Sequence, residues 1–194
     1  MAKTSKREAI LRAVESLVLR EGIVALTLES VAREAGVSKG GLLYYFRSKD
    51  QMVEGLVRRL IENFDADFVA FRQKMGNGRG AAMRAFVAAL LHGGWKQHGC
   101  GREFFAALLA ILATSPKLAE PLRQSYLGWQ KELESDGMEP SMVALLRLSL
   151  DGLWMSEMLG IAVLSPQRRQ QVVELIESLC QCGPASGGPL PASV

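Results

Sequence analysis

No stretch of this sequence is both apolar and long enough to span a bilayer. The longest charge-free apolar run, Phe104 to Pro116, falls short of the roughly 20 residues that a spanning helix needs. Arg12 and Glu15 interrupt the first apolar stretch, so no signal-peptide core is present. Cysteine is scarce: Cys100, Cys180 and Cys182 form an odd set without a C-x-x-C pair, which fits free thiols in a reducing compartment better than a disulfide framework. These absences lead us to expect a cytoplasmic protein without membrane contact. Catalytic signatures are lacking as well, with no P-loop, dinucleotide fingerprint or Ser-His-Asp set. His92, His98 and Cys100 lie close together, but their spacing matches no usual zinc pattern. We therefore expect no enzyme, no metal and no cofactor. Nor does a strand-like alternation persist for more than a few residues, which excludes a sheet and leaves an all-α fold.

What is there is an ordinary globular composition, 48% hydrophobic and 22% charged, over 194 residues. The net charge of +3 is unevenly placed. Residues 1 to 50 hold nine Lys or Arg against six Asp or Glu, whereas residues 51 to 194 hold fourteen of each. A basic N-terminal module on a neutral body points to a nucleic-acid partner.

Ile10, Val14, Leu17 and Val18 put an apolar stripe on a first helix that ends at Gly22. Thr27 can cap a second helix running to Ala35, and Ser38 a short third one reaching Phe46. Ser48 and Gln51 form a capping box for a fourth, whose Met52, Leu56, Leu60, Phe64 and Phe68 recur every four residues and carry it to about Met75. The segment from Gly76 to Gly80 is a loop by composition. Further helices are predicted at about 81–97, 101–113, 121–135, 140–163 and 166–180, with Pro121, Pro140 and Pro166 in first-turn positions. We divide the chain into residues 1–47, a helix-turn-helix domain; 48–182, a helical body; and 183–194, a flexible Gly- and Pro-rich tail.

Two short helices crossing steeply need a small residue at the crossing and a residue tolerant of positive φ in the turn, and Ala32 and Gly36 stand where those demands fall. Val31, Ala35, Val37 and Leu42 fill the interior between them. The stretch Thr27 to Met52, TLESVAREAGVSKGGLLYYFRSKDQM, resembles the DNA-binding region of the TetR/AcrR family of transcriptional regulators, and the resemblance extends over about residues 6 to 60. It implies that the third helix enters the major groove of double-stranded DNA. Helical geometry then turns Leu42 and Phe46 inward and leaves Lys39 and Leu43 exposed, Lys39 to donate to guanine and Leu43 to pack on a thymine methyl. By the same resemblance Thr27, Ser38, Tyr44, Tyr45 and Lys49 hold phosphates. The alternative for either tyrosine is packing in the core. Gly41 and Leu43 depart from the commonest family pattern, which has Thr and Tyr there. Gly40 and Gly41 each cost roughly 1 kcal/mol of helix propensity, offset by a close backbone approach to phosphate, and suggest a recognition helix that firms up on DNA.

The resemblance further implies that the C-terminal body binds a small-molecule effector and forms a homodimer through its last two helices. Phe64, Phe68, His92, Trp95 and Phe105 are candidate ligand-binding residues, together with Tyr126, Trp129, Trp154 and Met158; each alternatively belongs to ordinary core. Polar groups to orient a ligand are few, namely His92, Arg102, Tyr126 and Glu157, so the expected effector is small and largely apolar. The function that follows is a ligand-responsive repressor of a roughly palindromic operator. An effector-independent DNA-organising protein is the alternative, and a small-molecule carrier a third reading.

Overall fold

The computed structural model describes residues 5–93, 102–161 and 164–181, which form helices and connecting turns with no strand among them. Trp95, His98, Cys100, Cys182 and the tail 183–194 lie outside the described residues. Helix α1 (Lys6–Glu21) starts at Ser5, whose hydroxyl accepts from the Glu8 amide at 3.2 Å. It buries Ile10, Leu11, Val14, Leu17 and Val18, and stops at Gly22 with φ +76°. A single 3₁₀ turn, Ile23–Ala25, leads to α2 (Leu28–Glu34), capped by a reciprocal Thr27/Ser30 box. Gly36, at φ +64°, makes the turn into α3 (Lys39–Tyr45), which Ser38 caps. The long α4 (Lys49–Met75) begins at Ser48, and the Gln51 side chain reaches back to accept from the Arg47 amide at 2.7 Å.

The first half of α4 packs on α1 and on Phe46 at the end of α3, and the second half on the body. Gly55 is where it comes closest: a Cβ there would stand 2.8 Å from Cε1 of Phe46 and 3.2 Å from Cδ2 of Leu11. An ion-pair cluster reinforces the contact. Arg59 on α4, 9% exposed, donates to Glu8 at 3.0 Å and also pairs with the buried Glu15, both on α1.

The body comprises α5 (Ala81–His92), α6 (Arg102–Thr114), α7 (Pro116–Leu133), α8 (Pro140–Leu159) and α9 (Pro166–Gln181). Three boundaries differ from the sequence expectation. Helix α5 stops at Gly93 rather than 97, and α8 stops at Gly160, which adopts the left-handed conformation at φ +71° that ends helices. Helix α7 begins at Pro116, a turn and a half before Pro121, because Ser115-Pro116 is itself a cap-plus-proline pair. Pro121 therefore sits buried inside the helix, while Pro140 occupies the first turn of α8 as expected. The start of α5 docks on the end of α9: at Gly80, φ +71°, a Cβ would lie 2.1 Å from the Cys180 carbonyl oxygen. Asp136, far away in sequence, accepts from the Ala82 amide at 2.7 Å and so caps α5.

Candidate DNA-binding face and interior cavity

Helix α3 presents two sides, as its spacing predicts. Leu42 and Phe46 are buried, while Lys39, Gly40 and Tyr44 are exposed and Leu43 is half-buried. Neither tyrosine enters the core: Tyr44 is 82% and Tyr45 37% exposed, and their rings meet edge to face at 5.0 Å. The helix is already formed, with Ser38 accepting from the Gly41 amide at 3.0 Å. A shallow depression joins Ser38, Gly41, Tyr44 and Tyr45 to Lys6 and Gly36. Lys6 escaped the sequence reading, although it is a basic residue at the start of α1 and that position was the available signal.

Two cations on this side, Lys39 and Lys49, have internal partners. Lys39 pairs with Glu29 of α2 at 2.5 Å, and this holds the Glu29 carboxyl below the usual carboxylate range. Both side chains are exposed, so the pair is worth little and can be exchanged for a base edge or phosphate. Lys49 is engaged more deeply. Its ammonium donates to the Ile23 carbonyl at 2.7 Å and closes the 3₁₀ turn between α1 and α2. Thr27 spends its hydroxyl on the capping box of α2.

Within the body, α4, α5, α6, α7 and α8 line a partly open cavity of about 180 Å³. Of the expected ligand-binding residues, Phe64, Phe105, Tyr126, Trp129 and Trp154 line it. Phe68 instead packs behind Phe64 and Phe86, with ring centroids at 6.4 and 5.8 Å. His92, the last residue of α5, is exposed and does not line the cavity, because two residues after Leu90 it falls on the opposite side of the helix. Met158 packs against the core, and Met155, one turn earlier, reaches the cavity in its place. Trp95 and the Arg102 side chain lie outside the described residues. Glu157 is turned to α9, where it pairs with Arg169.

Among the described residues, the polar groups at the cavity besides the indoles of Trp129 and Trp154 are Tyr126 and Asp151, with Arg147 behind them. Arg147, 4% exposed, donates from Nη1 to the Tyr126 carbonyl at 3.0 Å and to the Gln130 side-chain oxygen at 3.2 Å. Its Nε lies 3.9 Å from Asp151, one turn along α8. Burial raises the Asp151 carboxyl above its ordinary value against the opposing pull of Arg147. Burial also pushes the Tyr126 hydroxyl up to about 12, helped by the Asp151 charge that it faces. The sequence reading picked Tyr126 but passed over Asp151 and Arg147. Their four-residue spacing on an otherwise apolar helix was the signal, since charges at such positions are buried only when paired. A fourth polar contact ties the wall to α4: the Trp129 indole donates to Asp65 at 2.6 Å.

Comparison with known proteins agrees with this architecture. Residues 10–56 match the family described as bacterial regulatory proteins, tetR family, and residues 80–181 match the tetracyclin repressor-like C-terminal domain. The HTH-type transcriptional regulator RutR of Escherichia coli is 38% identical over 72 residues, 37% of this chain and 34% of RutR. The chain thus matches about a third of the length of that relative. Among solved structures, a transcriptional regulator from Rhodococcus sp. Rha1 superposes with a TM-score of 0.71 at 24% identity, over 91% of this chain and 97% of that one. The multidrug binding protein EbrR complexed with ethidium gives 0.65 at 22% identity, over 90% and 98%.

Proposed function

Since the chain belongs to the TetR family of transcriptional regulators, we propose that it is a cytoplasmic repressor that holds a roughly palindromic operator as a homodimer and releases it when a small effector occupies the interior cavity. The observation that carries this reading is one helix with two duties. Along its length α4 supplies Gly55 to the seat of Phe46, at the end of α3, and then Val57, Leu60, Ile61 and Phe64 to the cavity wall. Anything that moves that wall moves the base on which α3 rests.

On this reading Lys39, Gly40 and Leu43 face base edges, while Thr27, Ser38, Gly41, Tyr44, Tyr45 and Lys49 set register on the phosphates. Lys6 joins them. A second copy is supported by the outer side of α8, where Leu145, Leu148 and Leu159 are 57, 71 and 45% exposed and fall on one side of the helix. Leu175 of α9, 58% exposed, adds to that apolar surface. A dimer then presents two copies of α3 to successive major grooves.

The test is binding of the purified protein to DNA from its own upstream region against scrambled DNA, at two salt concentrations. A specific regulator retains its preference as salt rises, whereas equal and steeply salt-dependent binding to both would mean a DNA-organising protein.

A further inference from the structure

Aromatic walls with one carboxylate would ordinarily attract a cation, through the ring faces and the carboxylate together. In this protein both are already engaged from within. The Arg147 guanidinium lies 4.4 Å from the Tyr126 ring centroid, 5.3 Å from that of Phe86 and 5.8 Å from that of Trp129, and all three rings are cavity walls. The same guanidinium stands 3.9 Å from Asp151 and is fixed by its hydrogen bonds to the Tyr126 carbonyl and Gln130. It is 4% exposed, so solvent screens its charge very little.

A second cation entering the cavity would therefore meet an Asp151 already balanced by Arg147, and would be repelled by Arg147 itself. An anion fares no better, because the Arg147 guanidinium is already committed to Asp151, the Tyr126 carbonyl, Gln130 and the ring faces. A neutral molecule meets neither repulsion. An ionised carboxylate has about four acceptor sites, more than its neighbours Tyr126 and Arg147 need, in a space that is otherwise apolar. The volume of about 180 Å³ exceeds the roughly 150 Å³ of an apolar cavity that takes benzene, which suits one or two rings.

We infer that the cavity selects a neutral one- or two-ring molecule bearing a hydroxyl-type donor, which donates to Asp151 while Arg147 excludes cations. This specificity rests on the reading of the cavity as the effector site. The experiment compares naphthalene, 2-naphthol, 2-naphthoate and N-methylquinolinium by calorimetric titration of the full chain. Each is then tested for release of bound upstream DNA. In the wild type 2-naphthol should bind about tenfold or more tightly than each of the other three, and in Asp151→Ala its advantage over naphthalene should vanish. Arg147→Met should gain affinity for N-methylquinolinium by about tenfold, a gain that a poorly folded variant cannot mimic. Wild-type binding of N-methylquinolinium as tight as that of 2-naphthol would overturn the inference, as would equal binding of naphthalene and 2-naphthol or no binding of any probe. If the ranking holds but 2-naphthol leaves the DNA bound, the ligand class stands and the effector role of the cavity falls.

Discussion

Replacing Gly55 by alanine should destabilise the protein even though alanine is the better helix former. In the middle of α4 the exchange gains up to about 1 kcal/mol in helix propensity. Against this, the new methyl would stand 2.8 Å from a ring carbon of Phe46 and 3.2 Å from Leu11, both of them fully or almost fully buried. Phe46 has no solvent to move into, so the cost is that of overpacking, about 1–3 kcal/mol. The net loss is up to about 2 kcal/mol, and at about 2–4 °C per kcal/mol for a chain of this size it lowers Tm by several degrees. Gly40→Ala is the internal comparison. Its Cβ would touch nothing within 4 Å, and its backbone is ordinary α-helix. There the propensity gain stands unopposed, and Tm should rise by about 2–4 °C. Thermal unfolding of both variants by circular dichroism, with operator affinity measured alongside, decides the matter. A Gly55→Ala protein as stable as Gly40→Ala would refute the close approach of α4 to Phe46, and with it the idea that α4 fixes the position of α3.

The two lysines of the DNA-binding face should separate. Lys39→Ala removes only an exposed ion pair, so stability should stay within about 0.5 kcal/mol while discrimination between operator and mutated operator falls in a gel-shift series. Lys49→Ala leaves the Ile23 carbonyl without its donor, and should cost about 1–2 kcal/mol in denaturant unfolding besides weakening binding to every DNA sequence; equal specificity loss in both variants would refute this division. Stability should fall as pH rises from 10, the ordinary tyrosine value, to about 12, because the unfolded chain loses the Tyr126 proton first. The decline is at most about 3 kcal/mol, and Tyr126→Phe should flatten it in alkaline denaturant titrations. Leu148→Glu places a charge on the exposed side of α8 and should shift sedimentation toward a monomer with little loss of helicity. An unchanged dimer would move the subunit interface elsewhere.

Much of the DNA-binding half was legible because its signals are local. Thr27, Ser38 and Ser48 cap helices through side chains a few residues from the amides they satisfy, and Gly22 and Gly36 end or turn helices through their own φ. The same locality separated Leu42 and Phe46 from Lys39 and Tyr44 along seven residues of helix. What the sequence hid was settled by partners distant in the chain. That the Lys49 ammonium also donates to the Ile23 carbonyl, 26 residues away, could not be read from its own neighbourhood. His92 looks like a pocket residue by type, but only the packing of α5 shows that Leu90 faces the cavity and His92 the other side. Pro121 resembles a helix start because its window contains no sign that Ser115-Pro116 has already begun one. In the apolar body one aromatic residue looks like another; Phe64 and Phe68, on the same helix one turn apart, differ in role because only tertiary packing decides which faces the void.

The tertiary contacts also explain why a cavity in the body and a helix on DNA need not be linked by an extended relay. Trp129 grips Asp65 at one level of α4, Phe64 meets the cavity beside it, Arg59 is clamped to Glu8 and Glu15 a turn and a half earlier, and Gly55 rests on Phe46 one turn before that. All four levels lie within eleven residues of one continuous helix, a rise of about 15 Å. A helix is stiff along its axis, so displacement at Phe64 is delivered at Gly55 as a tilt rather than dissipated. The buried Arg59 cluster, held at both terminal nitrogens by Glu8 and Glu15, resists sliding of α4 along α1. Ligand entry can therefore change the separation of two recognition helices in a dimer only to the extent that the ligand binds one tilt better than the other. That places the requirement for response on the shape of the wall formed by Phe64, Trp129 and Leu60, and not on affinity as such.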